Sequence, residues 1–147
     1  MENEGNDIKI EEWKALLKLP PVDPETYSPL ALAFIGDSVY EMIIRTVILS
    51  RGNTQVNKLN KRTSNLAKAP TQAAMVKLIM DDLTERELAI FKRGRNAKSA
   101  TVAKNASVTD YRYATGFEAL IGYLYLSEQF TRLIHLVQLA LARIGEN

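Results

Sequence analysis

Asp37 and Glu118 are the residues whose type and setting offer chemistry. Asp37 interrupts the run Phe34-Ile35-Gly36-Asp37-Ser38-Val39-Tyr40-Glu41, and Glu118 interrupts Gly116-Phe117-Glu118-Ala119-Leu120-Ile121-Gly122. Taking an unpaired carboxylate out of water costs several kcal/mol (roughly 2–7 for a polar group, more for an ion), so an apolar helix carrying one requires a partner for it. The small neighbours Ala33, Gly36, Gly116, Ala119 and Gly122 would let two helices approach until their acids converge. A shared cation is one partner. Oxygen-only ligands favour Mg²⁺, with Mn²⁺ as a substitute, because Mg²⁺ uses one or two carboxylates and keeps water and substrate phosphate in its other positions. Such an ion polarises a phosphodiester and supplies a hydroxide nucleophile without histidine. The alternative is that both acids pair with arginines such as Arg45 or Arg112 and only fix helix packing.

Elimination narrows the chemistry further. The single histidine, His135, lies between Ile134 and Leu136 in an amphipathic stretch and is read as a structural or surface residue. Neither paired-histidine RNA cleavage nor a histidine-rich metal site has its parts. Cysteine is absent, which removes disulfides, thiolate ligands and thiol nucleophiles. There is no glycine-rich loop ending in Gly-Lys-Ser/Thr to cradle a nucleoside triphosphate. Carboxylate chemistry remains.

The chain has 147 residues, 46% of them hydrophobic, enough for one compact core and too few for two ordinary domains. Residues 1–25 hold seven acids (Glu2, Glu4, Asp7, Glu11, Glu12, Asp23 and Glu25) against Lys9, Lys14 and Lys18, so a formal net charge of +2 conceals a basic body. Residues 42–80 and 92–109 contain Lys and Arg but no acid. Such segregation marks a candidate phosphate-binding surface, although charge runs are often plain solvated faces. An acidic start and apolar runs broken by Arg45, Arg51, Arg132 and His135 argue against a secretory signal or a membrane span, and predict a cytoplasmic protein.

The elements that must position the acids are all helical, because period-2 alternation and hairpin turns are missing while helical spacing recurs. An acidic lead-in over residues 1–26 holds a short helix near 10–17, then an extended connector set by Pro20, Pro21 and Pro24. A single domain is expected over 27–147. Ser28-Pro29 opens a long helix carrying Asp37, which runs to about Ser50 and stops at Arg51-Gly52. Further helices are expected over 54–67, from near Pro70, and from a cap at Asp82 or Thr84. Lys92-Arg93-Gly94-Arg95-Asn96-Ala97-Lys98-Ser99 is read as a polar stretch that does not stay helical. Thr109-Asp110 starts the helix carrying Glu118, ending near Ser127, and a last amphipathic helix spans about 130–144.

With these residues in place, the run from Phe34 to Glu41 resembles the signature of the ribonuclease III catalytic domain, and Phe117-Glu118-Ala119-Leu120-Ile121-Gly122 resembles its second motif. Order and separation agree. Because the chain ends soon after the second motif, no double-stranded-RNA-binding domain is expected, and the catalytic domain alone is similar to the Mini-ribonuclease III branch over roughly 17–144. The resemblance implies an all-α symmetric homodimer that cuts double-stranded RNA with a Mg²⁺ site in each protomer. It implies further that the substrate is a precursor of large-subunit ribosomal RNA, met in an assembling particle, with a ribosomal protein as a possible helper. Asp37 and Glu118 fall on the family's metal-binding acids, and Glu41 on a later signature glutamate suited to structure or interface.

Two departures stand out. The family usually has a glutamate four residues before the signature aspartate and an aspartate three before the second-motif glutamate, where this chain has Ala33 and Thr115. One cation with several waters fits what remains, the Thr115 hydroxyl orienting a ligand water, and slow turnover is expected. RNA contacts are assigned to Arg93, Arg95, Lys98 and Lys104, then to Lys58, Lys61 and Arg62, since an A-form duplex is gripped through phosphates and 2′-hydroxyls. Tyr111, Tyr113, Phe117, Tyr123 and Tyr125 are expected in core or dimer packing. The competing functions are a nuclease-dead RNA-binding module and a helical adaptor on the same fold.

Overall fold

The structure, a computed structural model, describes residues 10–98 and 107–146. Among these residues there are helices and turns but no strand. The α-helices are α1 (Ile10–Leu16), α2 (Pro29–Ser50), α3 (Val56–Ala67), α4 (Ala69–Ile79), α5 (Glu85–Asn96), α6 (Val108–Leu126) and α7 (Phe130–Arg143). None of them is long and apolar enough to cross a membrane.

Local chemistry sets the helix starts. The Ser28 hydroxyl accepts from Ala31 N at 3.2 Å with Pro29 behind it, so α2 begins where a missing N–H costs nothing. Thr84, not Asp82, caps α5 through a capping box with Glu87. Ser107 caps α6 by accepting from Asp110 N at 3.0 Å, starting that helix at Val108.

α6 is the axis of the fold. It packs against α2, α4, α5 and α7, and almost all of Ala114–Leu124 is buried, so its apolar residues run round the helix rather than along one stripe. The tightest crossing is with α2. A methyl group on Gly36 would lie 1.8 Å from the Glu118 carbonyl oxygen, and one on Gly122 would lie 1.9 Å from that of Leu32. The two backbones touch through these glycines, which places the turn carrying Asp37 against the turn carrying Glu118. Tyr40 and Phe117 lock the crossing edge to face at 5.7 Å, and the Tyr40 hydroxyl donates to the Leu66 carbonyl at 2.6 Å, tying α3 to it.

A second close crossing corrects one expectation. The polar stretch from Lys92 does not leave the helix: α5 continues through Asn96. Gly94 explains this, since a Cβ there would sit 2.8 Å from both Ala119 Cβ and Gly116 Cα, so the last turn of α5 is seated on α6. Arg95 lies across the Phe91 and Tyr113 rings, and Arg93 and Arg95 sit favourably at the negative end of the helix. Tertiary contact overrides the weak helix propensity of the stretch.

The described part of the acidic lead-in is strapped to the body. Glu25 forms an ion pair with Arg86 and accepts from the Tyr123 hydroxyl at 3.3 Å, while Lys14 approaches Glu128 at 3.8 Å. Next to Arg86, the buried Glu87 carboxylate takes two hydrogen bonds from Arg132, at 2.8 and 2.9 Å, pinning α7 to α5.

The glycine crossing yields a direct test. Gly36→Ala and Gly122→Ala each push a methyl into backbone atoms that no side-chain rotation can move. Each is expected to lower unfolding free energy by about 3 kcal/mol or more in chemical denaturation, well above the cost of an ordinary surface substitution.

Candidate active site

The acids converge at the α2–α6 crossing. Asp37 is solvent-exposed at the crossing, and Glu118 is partly buried beside it, with the two carboxyl groups within hydrogen-bonding reach. The expectation of two buried acids is therefore corrected: α2 turns Asp37 outward, to where a ligand can arrive, and only Glu118 carries the desolvation penalty. That burial, and next the charge and hydrogen bonding of Asp37, push the Glu118 carboxyl up to about 8. Glu118 therefore keeps its proton near neutrality unless a cation replaces it.

Neither acid is held by an arginine. Among the described residues Asp37 and Glu118 form no ion pair, Arg45 pairs instead with Glu41 at 2.7 Å one turn along α2, and Arg112 lines a shallow polar hollow with Arg95, Asn96, Thr109 and Tyr113. The packing alternative loses its partners. Tyr40 is kept firmly protonated by burial and then by the Glu118 charge, and it serves as a donor to Leu66.

The remaining donor set suits a hard cation. No third Asp, Glu, His or Cys joins the pair among the described residues, leaving two carboxylates and room for water. Such a set fits Mg²⁺ or Mn²⁺ and excludes a closed structural zinc site. Thr115, one turn before Glu118, is buried and donates its hydroxyl to the Tyr111 carbonyl at 2.9 Å, so toward a ligand water it can act only as an acceptor. Ala33 is buried and contributes no ligand.

One polar residue at this site went unread in the sequence. Gln72 on α4 is 1% exposed, draws the Glu118 carboxyl downward, and has a side-chain nitrogen without a hydrogen bond of good geometry. A glutamine inside Ala69-Pro70-Thr71-Gln72-Ala73-Ala74-Met75-Val76 was the available signal, since an amide among core residues calls for a partner.

The basic residues fall in two groups. Arg93, Arg95 and Lys98 lie on and just past the last turn of α5, whereas Lys58, Lys61 and Arg62 are exposed on α3. Lys104 lies outside the described residues. Lys77 extends the first group: its amino group sits 4.7 Å from the centre of the Tyr113 ring, which Arg95 also approaches at 6.0 Å. Of the aromatics, Phe117 and Tyr123 are buried, and Tyr111, Tyr113 and Tyr125 are intermediate. His135 is exposed.

Comparison with known proteins shows the family. Residues 30–129 match the ribonuclease III domain, which defines the class as an endoribonuclease. The chain is 51% identical over 120 residues to Mini-ribonuclease 3 of Clostridium tetani, covering 81% of this chain and 80% of that protein. It is 53% identical over 119 residues to Mini-ribonuclease 3 of a Thermoanaerobacter species, covering 81% and 84%. A crystal structure of a Fusobacterium nucleatum protein superposes with a TM-score of 0.73 at 33% identity, covering 78% of this chain and 88% of that one. The chain belongs to the Mini-ribonuclease 3 branch of the ribonuclease III family.

The proton on Glu118 carries a stability signature. The folded protein holds the Glu118 proton more tightly than the unfolded chain, so metal-free stability is greatest below the ordinary value of 4.5 and falls as pH rises toward about 8. Relative to Glu118→Gln, the wild type in EDTA is expected to lose roughly 3–5 kcal/mol between pH 5 and pH 8. Parallel denaturation series of the two proteins would read it, and equal pH slopes would refute it.

Proposed function

We propose that the chain is a Mg²⁺-dependent endoribonuclease that cuts double-stranded regions of a large-subunit ribosomal RNA precursor in the cytoplasm, with Asp37 and Glu118 as its metal ligands and catalytic acids. The observation that carries this reading is the convergence of the two carboxylates at the α2–α6 crossing, without arginine partners, in a chain of this family. Mn²⁺ is the substitute ion. A bound cation supplies charge for the scissile phosphate and lowers the pKa of a coordinated water. Asp37 presents its carboxylate from the solvent-facing side, and Glu118 presents its own from the partly buried side, so the substrate approaches over Asp37. Thr115 accepts a hydrogen bond from a water near Glu118. The ribosomal substrate, and a ribosomal protein as helper, are supported by the likeness to the Mini-ribonuclease III branch.

A symmetric homodimer completes this reading. One face of α2 leaves Phe34 80% exposed, with Leu30 and Met42 beside it at helical spacing and Leu49 further along. A twofold axis would cover this stripe with its own copy and set two active sites along one duplex. Glu41 and its exposed partner Arg45 border the stripe, and a pair of this kind contributes only about 0.3–0.5 kcal/mol within one helix. Glu41 is therefore assigned to the interface. Duplex phosphates are assigned to Arg93, Arg95 and Lys98, with Lys104, Lys61 and Arg62 as further contacts.

Cleavage of a blunt duplex RNA in Mg²⁺ tests the acids. Asp37→Asn and Glu118→Gln should each lower kcat by at least a hundredfold with the helical fold intact, and EDTA should silence the wild type; unchanged turnover in either variant would remove that residue from the site. Glu41→Gln should weaken self-association more than chemistry. Phe34→Glu is expected to give a monomer by light scattering and to lose cleavage of both strands. Neutralising Arg93, Arg95 and Lys98 together should weaken RNA binding and flatten its salt dependence. An unaltered salt slope would move the clamp to Lys58, Lys61 and Arg62.

A further inference from the structure

The least expected group near the acids is the Gln72 side chain. It projects from α4, a helix packed along α6, and is 1% exposed. Its amide nitrogen is the only buried side-chain nitrogen or oxygen among the described residues that lacks a hydrogen-bond partner. An amide in that position loses its water without a hydrogen bond of good geometry in return, and an apolar side chain of equal volume would pack there at lower cost. α4 has such residues following it in Ala73, Met75, Val76 and Ile79, all buried. A donor left open in an otherwise satisfied core calls for an acceptor close by.

The acceptor at hand is Glu118, which already feels the Gln72 amide. We propose that Gln72 is a positioning residue: its side-chain amide donates to Glu118 and holds that carboxylate so that its free oxygen faces Asp37 and the divalent cation. This rests on the assignment of Asp37 and Glu118 as cation ligands. It fills a gap left by Ala33 and Thr115, since Ala33 offers no polar atom and the Thr115 hydroxyl proton is committed to Tyr111. With few protein ligands, the orientation of each one matters more, and the fixing of Glu118 falls to a donor from α4. Groups that orient a metal ligand typically alter affinity 10–100-fold when removed.

Gln72→Met keeps the length and apolar stem of the side chain and removes the donor, and Gln72→Leu does so with a different shape. Mn²⁺ binding to the RNA-free full chain, followed by calorimetry and by the electron paramagnetic resonance signal of free Mn²⁺, reads the proposal without catalysis. Both variants should melt at or above the wild-type temperature, bind Mn²⁺ about tenfold more weakly, and lose kcat on duplex RNA with KM unchanged, an effect partly recovered by raising Mn²⁺. If either variant folds and binds Mn²⁺ as tightly as the wild type, Gln72 is a packing residue and the proposal fails. A melting temperature lowered in both variants, with Mn²⁺ affinity intact, overturns it as well. Glu118→Gln separates the two levels: if Mn²⁺ binding survives that change, the ligand assignment itself falls and takes this proposal with it, whereas binding lost in Glu118→Gln but kept in Gln72→Met overturns the role of Gln72 alone.

Discussion

Backbone contact between α2 and α6 is the constraint on which the rest of the molecule depends. Gly36 sits on the carbonyl of Glu118, and Gly122 on that of Leu32, so the axes approach as closely as two helices without side chains between them can. Asp37 follows Gly36 directly, and Glu118 supplies the carbonyl that Gly36 meets. The contact that makes the core compact is thus the contact that joins the acids. Gly94 and Gly116 repeat the device on the other flank of α6 and seat α5. Around this axis Tyr40, Phe117 and the Glu87–Arg132 pair fix the remaining helices, leaving little freedom in how the two carboxylates face each other.

The electrostatics follow from that geometry. Two acids brought together at the edge of a core repel unless a proton or a cation offsets their charge, and the Glu118 carboxyl is raised by burial first and by the Asp37 charge next. The rest of the charge is arranged differently. Arg132, Arg86 and Arg143 are committed to structural ion pairs, whereas the lysines and arginine of α3 are exposed. Arg95 and Lys77 cover the face of Tyr113, so part of the basic surface is organised by an aromatic ring.

Much of this was legible in the sequence because local rules govern it. Ser28-Pro29 and Thr84 with Glu87 announce helix starts through hydrogen bonds made within one turn, and the glycines beside the acids announce a close crossing. What escaped depends on contacts between distant segments. The last turn of α5 reads as a polar loop until Gly94 is seen against Ala119 and Gly116. Asp37 reads as buried because its neighbours in sequence are apolar, yet the helix turns it outward. Gln72 is a polar residue in an apolar run, and its significance appears only when α4 is laid beside Glu118.

The central claim is that Asp37 and Glu118 act on one divalent cation as a unit. A double-mutant cycle on Mn²⁺ affinity, using Asp37→Asn, Glu118→Gln and the double variant in RNA-free protein, tests it most directly. Ligands of one ion predict strong non-additivity: each single change removes most of the binding, and the double variant binds little worse than either. Losses that simply add, or binding untouched by one of the two changes, would show that the carboxylates do not share an ion and would contradict the account.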